Sequence, residues 1–466
     1  MATRMLPLFD VWPAATSVTH SVADELVEFT TDDVALPRYH VWTLGCQMNH
    51  SDSEEMAGAL AAAGCAQAPS LESADLIVIN SCAIRETAEQ KVIGRMGHLH
   101  RLREANPALR VVLTGCSVRT DNVQTLHKRY PQVDLFLRPD EEPELAARLG
   151  LAGATSPGRL ASPIGRESAL SAWLPIIYGC DKTCTYYIVP FSRGPERSRA
   201  FDEVLNEARS LAAAGYREVT LLGQNVNSYG RDLYGSPRFA ELLRAVAAAG
   251  VERVRFTTSH PKDLSDETIR AMADTPQVCR HLHLPVQSGS DRVLEAMNRH
   301  YTQESYLALV ERLYDAMPDL ALTTDVIVGF PGETEADFEQ TMRTIEAARY
   351  DAAFTFIYSP REGTPAAAMA DQVPRDETQP RFDRLVSAIQ ASALAKNVPL
   401  IGTVQRVLLE GPSKRDQRVL TGRTGGNKVV HMPLPEGATA TTLAGTLVDV
   451  RIDDAQTWFC MGTLIG

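Results

Sequence analysis

The sequence contains no long apolar run, since no stretch approaches the roughly 18 apolar residues that indicate a membrane-spanning helix. Its first residues, MATRMLPLFDVWPAATS, lack the basic start and apolar core that are typical of a secretory signal. These two absences predict a soluble, cytoplasmic protein with no membrane contact.

Cysteine and positive charge are also scarce. Only eight cysteines occur among 466 residues, too few for a disulfide scaffold in a chain of this length. A reducing compartment would keep them as thiols, so metal binding or catalysis is the favoured use. The formal net charge of −12 excludes a chain that holds nucleic acid by its overall charge. Any contact with RNA must therefore be local.

What the sequence does contain is an alternation of apolar strands and amphipathic helices. Within residues 37–150 the strands YHVWTL, DLIVIN and RVVLTG are each followed by a helical stretch, which predicts a Rossmann-like α/β domain with a parallel sheet. Residues 1–36 show no such periodicity, and we expect a poorly ordered extension there. Gly, Pro and Ser cluster in residues 151–166, which predicts a linker.

Beyond the linker, the alternation repeats about six times through residues 167–400. It predicts a partial (β/α) barrel whose function lies on the loops that follow the strands. From residue 401 to residue 466 the helices give way to β-branched runs such as TVQRVLLE, KVVHM and TLVDVRI, which predict a small β-barrel. The fold class is therefore α/β with a terminal all-β domain.

Cys46, Cys82 and Cys116 each end or directly follow a predicted strand of the first domain. Because the carboxyl ends of parallel strands share one edge of a sheet, these thiols can converge although they are distant in sequence. Three thiolates at one place suit an iron-sulfur cluster that keeps one iron open. The alternative is three unrelated cysteines in the hydrophobic core.

A second pair, Cys180 and Cys184, lies in YGCDKTCTYYIVPFSRG, on the loop after the first barrel strand. This segment resembles the radical S-adenosylmethionine superfamily, whose signature is Cys-xxx-Cys-x-aromatic-Cys. Tyr186 fills the aromatic position, and Tyr187 stands where the third cysteine is expected. A phenol with a pKa of about 10 is a poor replacement for a soft thiolate, so we expect weak binding of a cluster here. Iron ligation by a Tyr187 phenolate is the alternative.

Longer segments carry a closer resemblance, from about residue 38 to the end. GCQMNHSDSE, SCAIRETAEQK, LLGQNVNSYG, LPVQSGSDRVLEAMNR, TTDVIVGFPGETEADF and YSPREGTPAA are similar to the methylthiotransferase family, and closest to its MiaB-type branch. EGPSKRDQRVLTGRTGGNKVVH resembles the TRAM domain of that family, a small RNA-binding barrel.

The resemblance implies methylthiolation at C2 of N6-(dimethylallyl)adenosine at position 37 of tRNA, next to the anticodon. It further implies S-adenosylmethionine and two [4Fe-4S] clusters, an auxiliary one on Cys46, Cys82 and Cys116 and a reducing one on Cys180 and Cys184. We expect a monomer that takes electrons from a donor such as flavodoxin or ferredoxin. Two alternatives stay open: a catalytically impaired tRNA-binding relative, because of Tyr187, and a methylthiotransferase that acts on a ribosomal protein.

Further residues are candidates for binding S-adenosylmethionine or RNA. A tight loop before a helix predicted to begin at Glu333 and polar side chains at strand ends suggest contacts to the cofactor. Those candidates are Tyr186, Gln224, Asn225, Gln287, Ser288, Gly329 and Gly332. Basic residues after the cluster loop and in the terminal domain suggest contacts to phosphate, although charge runs are often only solvated surface. Those candidates are Arg193, Arg197, Arg199, Arg406, Lys414, Arg415, Arg418, Arg423 and Lys428.

Overall fold

A computed structural model of the chain describes residues 37–83, 86–151, 166 and 168–465. Its first part is a five-stranded parallel sheet with the strand order β2-β1-β3-β4-β5. The strands are β1 (Arg38–Leu44), β2 (Ala66–Gln67), β3 (Leu76–Ser81), β4 (Arg110–Thr114) and β5 (Leu135–Phe136). The helices that cover them are α1 (Gln47–Ala62), α2 (Glu86–Ala105), α3 (Val123–Arg129) and α4 (Leu145–Arg148).

The register of this sheet brings three strand ends together. Every residue of β3 is buried, as is typical of a central parallel strand with helices on both faces. Leu44 at the end of β1 pairs with Ser81 at the end of β3. Asn80 of β3 pairs in turn with Thr114 at the end of β4. The residues that follow these three strands therefore share one edge of the sheet.

The middle of the chain forms two three-stranded parallel sheets, β6-β9-β10 and β11-β12-β13. A bridge between Val254 and Val278 joins them, and no ladder links β6 to β13 among the described residues, so the barrel is partial. The strands are β6 (Ser171–Pro175), β9 (Glu218–Leu222), β10 (Arg253–Phe256), β11 (His281–His283), β12 (Ala321–Val328) and β13 (Ala352–Ile357), with a small hairpin of β7 (Ile177–Tyr178) and β8 (Arg197–Ser198).

Helices surround these strands, and their apolar faces join one large hydrophobic core with the strands. They are α5 (Val189–Arg193), α6 (Phe201–Ala213), α7 (Arg231–Tyr234), α8 (Phe239–Ala247), α9 (Asp266–Asp274), α10 (Asp291–Ala296), α11 (Gln303–Ala316), α12 (Glu335–Ala348) and α13 (Arg375–Asn397). No helix in the described part of the chain is both long and apolar enough to cross a membrane.

The last part of the chain is a closed barrel with the strand order β14-β15-β16-β18-β17. Its strands are β14 (Val404–Pro412), β15 (Val419–Thr424), β16 (Val429–Pro433), β17 (Leu447–Ala455) and β18 (Phe459–Leu464), with α14 (Ala440–Leu443) before β17. Alternate residues of these strands point into an apolar interior, as the β-branched pattern predicts.

Two arginines of β10 fix this closed barrel against the partial one. Arg253 donates hydrogen bonds to the backbone carbonyls of Arg406 and Arg423 at 2.7 and 2.8 Å. Arg255 donates to the carbonyls of Thr424 and Gly425 and forms a 2.8 Å ion pair with Glu218, and both partners of that pair are largely buried. Four main-chain acceptors are thus held by two rigid guanidinium groups, so the closed barrel is docked firmly.

The three predicted architectures are confirmed: a Rossmann-like sheet, a partial (β/α) barrel and a small β-barrel. The predicted extension, residues 1–36, lies outside the described residues. So does the predicted linker apart from Leu151 and Arg166. Arg166 joins the first two parts, because its guanidinium lies 3.7 Å from Glu54 of α1 and 2.7 Å from Glu207 of α6.

Candidate iron-sulfur and cofactor site

Three cysteines lie at the common edge of the first sheet, as predicted. Cys46 caps the start of α1, and Cys82 follows β3 with its backbone N–H bonded to the carbonyl of Leu44 at 2.8 Å. Cys116 follows β4 after Gly115, which has a φ of +89°. A Cβ on Gly115 would lie 2.4 Å from the carbonyl oxygen of Ser81, so only glycine lets the chain turn here and present the cysteine.

Cys116 is almost completely buried, as is Cys82. Burial raises its pKa to about 12, the positive charge of Arg193 acts to lower it, and the thiols of Cys82 and Cys46 raise it further. The three sulfurs are therefore electrostatic neighbours. Arg193 Nε donates a 3.1 Å hydrogen bond to Cys116 Sγ. A thiolate in so buried a position would require a bound metal, because the metal displaces the thiol proton.

The second pair of cysteines lies on the loop after β7. Gly179, with a φ of +73°, precedes Cys180, and a Cβ there would lie 2.0 Å from the carbonyl oxygen of Pro195. Burial raises the pKa of Cys180 to about 12, and the backbone N–H of Lys182 acts against this. Cys184 Sγ accepts a 3.3 Å hydrogen bond from Nη1 of Arg299, a buried guanidinium.

Tyr187 stands between the two groups of cysteines. Its hydroxyl donates a 2.5 Å hydrogen bond to Oε1 of Gln224. Loss of contact with bulk water raises its pKa well above 10, and the charges of Cys180, Cys46 and Cys116 raise it further. The phenol is therefore neutral and donates its hydrogen bond to an amide, and a metal would have to displace its proton before the oxygen could act as a ligand.

One cavity of about 990 Å³ reaches both groups of thiols, although Cys116 does not line it. Cys46, Cys82, Cys180 and Cys184 all line it, together with Tyr187. The same cavity runs from the carboxyl ends of the partial barrel's strands to their amino ends, where Lys428 of the closed barrel lines it. A ligand of the size of S-adenosylmethionine fits within this volume, since small-molecule sites range over about 300–1,000 Å³.

A polar wall of this cavity is built by Asn225, Lys182 and His260, and Asp263 binds the first two of them. Asn225 Nδ2 donates to Asp263 at 2.6 Å, and Lys182 pairs with the same carboxylate at 2.5 Å. Burial would raise the pKa of Asp263, but the bonds to Lys182 and Asn225 lower it below its usual value. Burial and the charges of Arg299 and Lys182 lower the pKa of His260 to about 2, so this imidazole is neutral. The wall therefore presents the amide of Asn225 and the neutral imidazole of His260 to the cavity as hydrogen-bonding groups.

The wall remote from the cysteines is aromatic and basic. Phe354, Phe356 and Trp458 line the cavity and keep 56%, 38% and 53% of their surfaces exposed. Lys428 and Arg423 of the closed barrel line the same wall, where Lys428 forms a 2.5 Å ion pair with Asp351. Exposed aromatic faces beside basic groups are typical of surfaces on which nucleic-acid bases stack.

The predicted cofactor contacts divide into two sets. Tyr186, Gln224, Asn225 and Gln287 line the cavity, whereas Ser288, Gly329 and Gly332 do not. α12 begins at Glu335 with Thr334 as its cap, so the prediction that Glu333 begins the helix is wrong. The N–H of Gly329 donates to Oε2 of Glu333 at 2.7 Å, and burial raises the pKa of that carboxyl to about 7. The N–H of Gly329 is therefore hydrogen-bonded within its own loop and is not available to a ligand.

Two of the predicted phosphate contacts are corrected. Arg193 is 3% exposed and pairs with Asp52 at 2.6 Å. Arg199 is 7% exposed and pairs with Glu207 at 2.8 Å. A buried, paired guanidinium cannot reach the backbone of an RNA. Arg197 is exposed, and so are Arg406, Lys414, Arg415 and Arg418 of the closed barrel.

The chemistry of each group of cysteines can be compared with the needs of an iron-sulfur cluster. The first group has three neighbouring thiols at one sheet edge, with a cavity on their open side, and it fits a four-iron cluster with one free iron. No three His, Cys, Asp or Glu side chains among the described residues converge closely enough for a single ion.

The second group does not fit the same requirement. It offers the thiols of Cys180 and Cys184, and its third position holds the neutral phenol of Tyr187, already bonded to Gln224. The remaining cysteines lie elsewhere: Cys65 packs in a core of the first sheet, Cys460 packs inside the closed barrel, and the charged neighbours of Cys279 are Glu218, Arg253 and Arg255.

Sequence reasoning missed the roles of Arg299, Lys182 and Asp263. Arg299 lies at the end of a quoted motif, LPVQSGSDRVLEAMNR, but nothing in that motif indicates its contact with Cys184, 115 residues earlier. Lys182 lies between the two cysteines of the loop, and this position was the one available signal. Asp263 carried no signal at all.

Three family models match consecutive parts of the chain. The uncharacterized protein family UPF0004 matches residues 38–138, the radical SAM superfamily matches residues 174–345, and the TRAM domain matches residues 400–465. The fold and the cysteines thus define a radical SAM protein, a class that uses an iron-sulfur cluster and S-adenosylmethionine.

Two curated relatives are similar over almost their whole length. The chain is 49% identical to the tRNA-2-methylthio-N(6)-dimethylallyladenosine synthase of Caldicellulosiruptor saccharolyticus, over 92% of each chain. It is 46% identical to the enzyme of the same name from Carboxydothermus hydrogenoformans, over 92% of this chain and 99% of that one. The chain belongs to the family of MiaB-type tRNA methylthiotransferases.

A solved structure shares the fold. The radical S-adenosylmethionine methyltransferase TsrM from Kitasatospora setae aligns with 71% of this chain and 75% of its own, with a TM-score of 0.52 and 16% identity. At this identity the likeness concerns the fold alone.

Proposed function

We propose that this chain is a transferase that methylthiolates C2 of N6-(dimethylallyl)adenosine at position 37 of tRNA. The observation that carries the proposal is the single cavity lined by cysteines of both groups. A sulfur donor and a radical source for one substrate atom must be close together, and this cavity brings their proposed ligands together. The names of the curated relatives favour tRNA over a ribosomal protein as the substrate.

In this proposal Cys46, Cys82 and Cys116 hold the auxiliary [4Fe-4S] cluster, and Cys180 and Cys184 belong to a second one. S-adenosylmethionine and the clusters supply the radical, the sulfur and the methyl group. The protein binds and orients the reactants and shields them from water. Asn225, fixed by Asp263, and Gln224 present amide groups to the methionine part of S-adenosylmethionine. Electrons come from a donor such as flavodoxin or ferredoxin.

A second candidate function is favoured by one observation, the neutral Tyr187 phenol at the third ligand position. It describes a catalytically impaired relative that binds tRNA and assembles only the auxiliary cluster.

The proposed domains follow the matched regions and the strands. They are a cluster domain at 37–150, a linker at 151–166, a radical SAM barrel at 167–400 and a TRAM domain at 401–466, in a monomer. The aromatic and basic wall between barrel and TRAM domain takes the substrate nucleotide, since Phe354, Phe356 and Trp458 suit base stacking.

The proposed reaction is tested with an anticodon stem-loop that carries N6-(dimethylallyl)adenosine. The anaerobically reconstituted chain and its Tyr187→Cys variant, each given S-adenosylmethionine and a reductant, are expected to form the 2-methylthio nucleoside, the variant much faster, and the product is detected by mass spectrometry of digested RNA. A stem-loop with plain adenosine is the matched control and is expected to give little product. Absence of product in the dimethylallyl substrate, with both clusters loaded, would contradict the proposed reaction.

A basic surface on the TRAM domain is proposed to bind the tRNA backbone. Lys414 and Arg415 are exposed on the loop before β15. Replacing both by alanine is expected to weaken tRNA binding at low salt and to lower the slope of log K against log salt by about 1 per lost contact. The exposed Lys128→Ala variant in the first domain serves as the control. Equal slopes in the double variant and the control would remove this loop from the interface.

A further inference from the structure

Arg193 connects two parts of the molecule through one side chain. It ends α5, on the loop that carries Cys180 and Cys184, yet both of its charged or sulfur partners belong to the first domain. Its Nε donates to Cys116 Sγ at 3.1 Å, and its Nη2 donates to Asp52 Oδ2 at 2.6 Å. Its side chain is 2% exposed and that of Asp52 is fully buried. The guanidinium therefore lies in the interior, against a proposed cluster ligand.

A buried charge in this place requires a reason. Removing an arginine from water is costly, and a single carboxylate often does not offset that cost without further hydrogen bonds. Here the guanidinium is shared between a carboxylate and a thiol. Burial would lower the pKa of Arg193, but Asp52 and then Cys116 raise it well above its usual value, so the group is positively charged at all working pH values.

The second group of cysteines has the same arrangement. The buried Arg299 donates from Nη1 to Cys184 Sγ at 3.3 Å. Each group therefore has one sulfur that accepts a hydrogen bond from a buried guanidinium. Hydrogen bonds to the cysteine sulfurs and the net charge around them are among the factors that set the reduction potential of an iron-sulfur cluster.

We propose that Arg193 is a positioning residue that raises the reduction potential of the cluster on Cys46, Cys82 and Cys116, and that Asp52 partly offsets this effect. This inference rests on the cluster ligands of the proposed function. Reduction adds one electron to the cluster, and the negative charge gained is stabilised by the adjacent guanidinium. Asp52 is a fixed negative charge on the far side of that guanidinium, so it opposes the added electron.

The geometry explains why the residue is an arginine. Nε and Nη2 point to different partners, so one planar group orients the thiolate of Cys116 and is itself oriented by Asp52. A lysine ammonium carries the same charge as a single point and lacks this fork. Arg193→Lys is therefore expected to keep part of the electrostatic effect and to lose the directed bond to sulfur.

The experiment measures the midpoint potential of the auxiliary cluster in the full chain. Cys180→Ala and Cys184→Ala are introduced together, so that a single cluster contributes, and the potential is followed by electron paramagnetic resonance during titration with dithionite. Arg193→Gln is expected to shift the reduced-to-oxidised ratio at least tenfold toward the oxidised form, which is about 59 mV for a one-electron couple. Arg193→Lys is expected to shift it less, in the same direction.

Asp52→Asn is expected to shift the midpoint potential in the opposite direction. It removes the negative charge and keeps the side-chain size, so the ratio is expected to shift toward the reduced form. A role confined to folding would not give shifts of opposite sign. The matched control is Arg209→Gln, an exposed arginine on α6 that donates a hydrogen bond to Asn206, and it is expected to leave the potential unchanged.

The outcomes separate this inference from the proposed function. A chain that binds no cluster at the three cysteines contradicts the ligand assignment itself. A cluster that assembles with the same potential in Arg193→Gln as in the parent overturns the inference alone. Loss of the cluster in both Arg193→Gln and Arg193→Lys would also overturn it, because Arg193 would then be required only for folding.

Discussion

Replacing Tyr187 by cysteine is expected to raise the rate of reductive S-adenosylmethionine cleavage more than about 100-fold, beyond the 10–100-fold that loss of an outer-shell partner of a metal costs. The phenol is neutral and donates a 2.5 Å hydrogen bond to Gln224. Cys180 and Cys184 therefore remain as two thiols for a cluster that needs three. The variant supplies the missing soft ligand at the correct place on the loop. The rate is measured as the formation of 5′-deoxyadenosine, which is quantified by chromatography.

Iron content gives an independent reading of the same change. After anaerobic reconstitution, we expect about four iron atoms per chain in the parent and about eight in Tyr187→Cys, one and two four-iron clusters. Tyr187→Ser is the matched control, because it removes the phenol without adding a thiolate and is expected to gain neither iron nor activity. Equal cleavage rates in the parent and in Tyr187→Cys would show that Tyr187 does not disable the site.

The second large effect concerns Cys116. Cys116→Ala is expected to reduce the iron content of the parent chain from about four atoms to near zero, since only Cys46 and Cys82 remain at a site that needs three thiolates. Iron and sulfide assays after reconstitution measure this loss. Arg193 would then have Asp52 as a partner but no sulfur, so the buried ion pair is retained and the fold is expected to persist.

Cys460→Ala is the control for this experiment. Cys460 is fully buried inside the closed barrel and does not line the cavity, so its replacement tests the effect of losing a buried thiol elsewhere. We expect its iron content to match that of the parent. Retention of four iron atoms in Cys116→Ala would remove this residue from the ligand set and require another donor.

The edge position of Cys46, Cys82 and Cys116 could be predicted from the sequence. Each thiol ends or follows an apolar strand, and parallel strands that share a register also share an edge. The strands of the partial barrel could be predicted in the same way, because their apolar runs alternate with helices. In these cases a local pattern determines both the element and the end at which the chemistry lies.

The role of Arg193 could not be predicted. Its sequence neighbours Arg197 and Arg199 make it look like part of a basic run, which indicates a surface. Its partner Asp52 lies 141 residues away, so only the folded chain reveals the ion pair. The prediction that Glu333 begins α12 failed for a related reason. Its carboxylate accepts a hydrogen bond from the N–H of Gly329, a contact that only the folded loop reveals.

The docking of the closed barrel by Arg253 and Arg255 has a consequence for substrate choice. Four carbonyls held by two guanidinium groups oppose rotation of this barrel against the partial one. In the proposed complex, the distance from the phosphates bound by this barrel to the thiols of the cavity is then a fixed length. The protein uses this length to select a base. Among bases of equal chemistry, the one that reacts is the one whose position along the RNA matches that length.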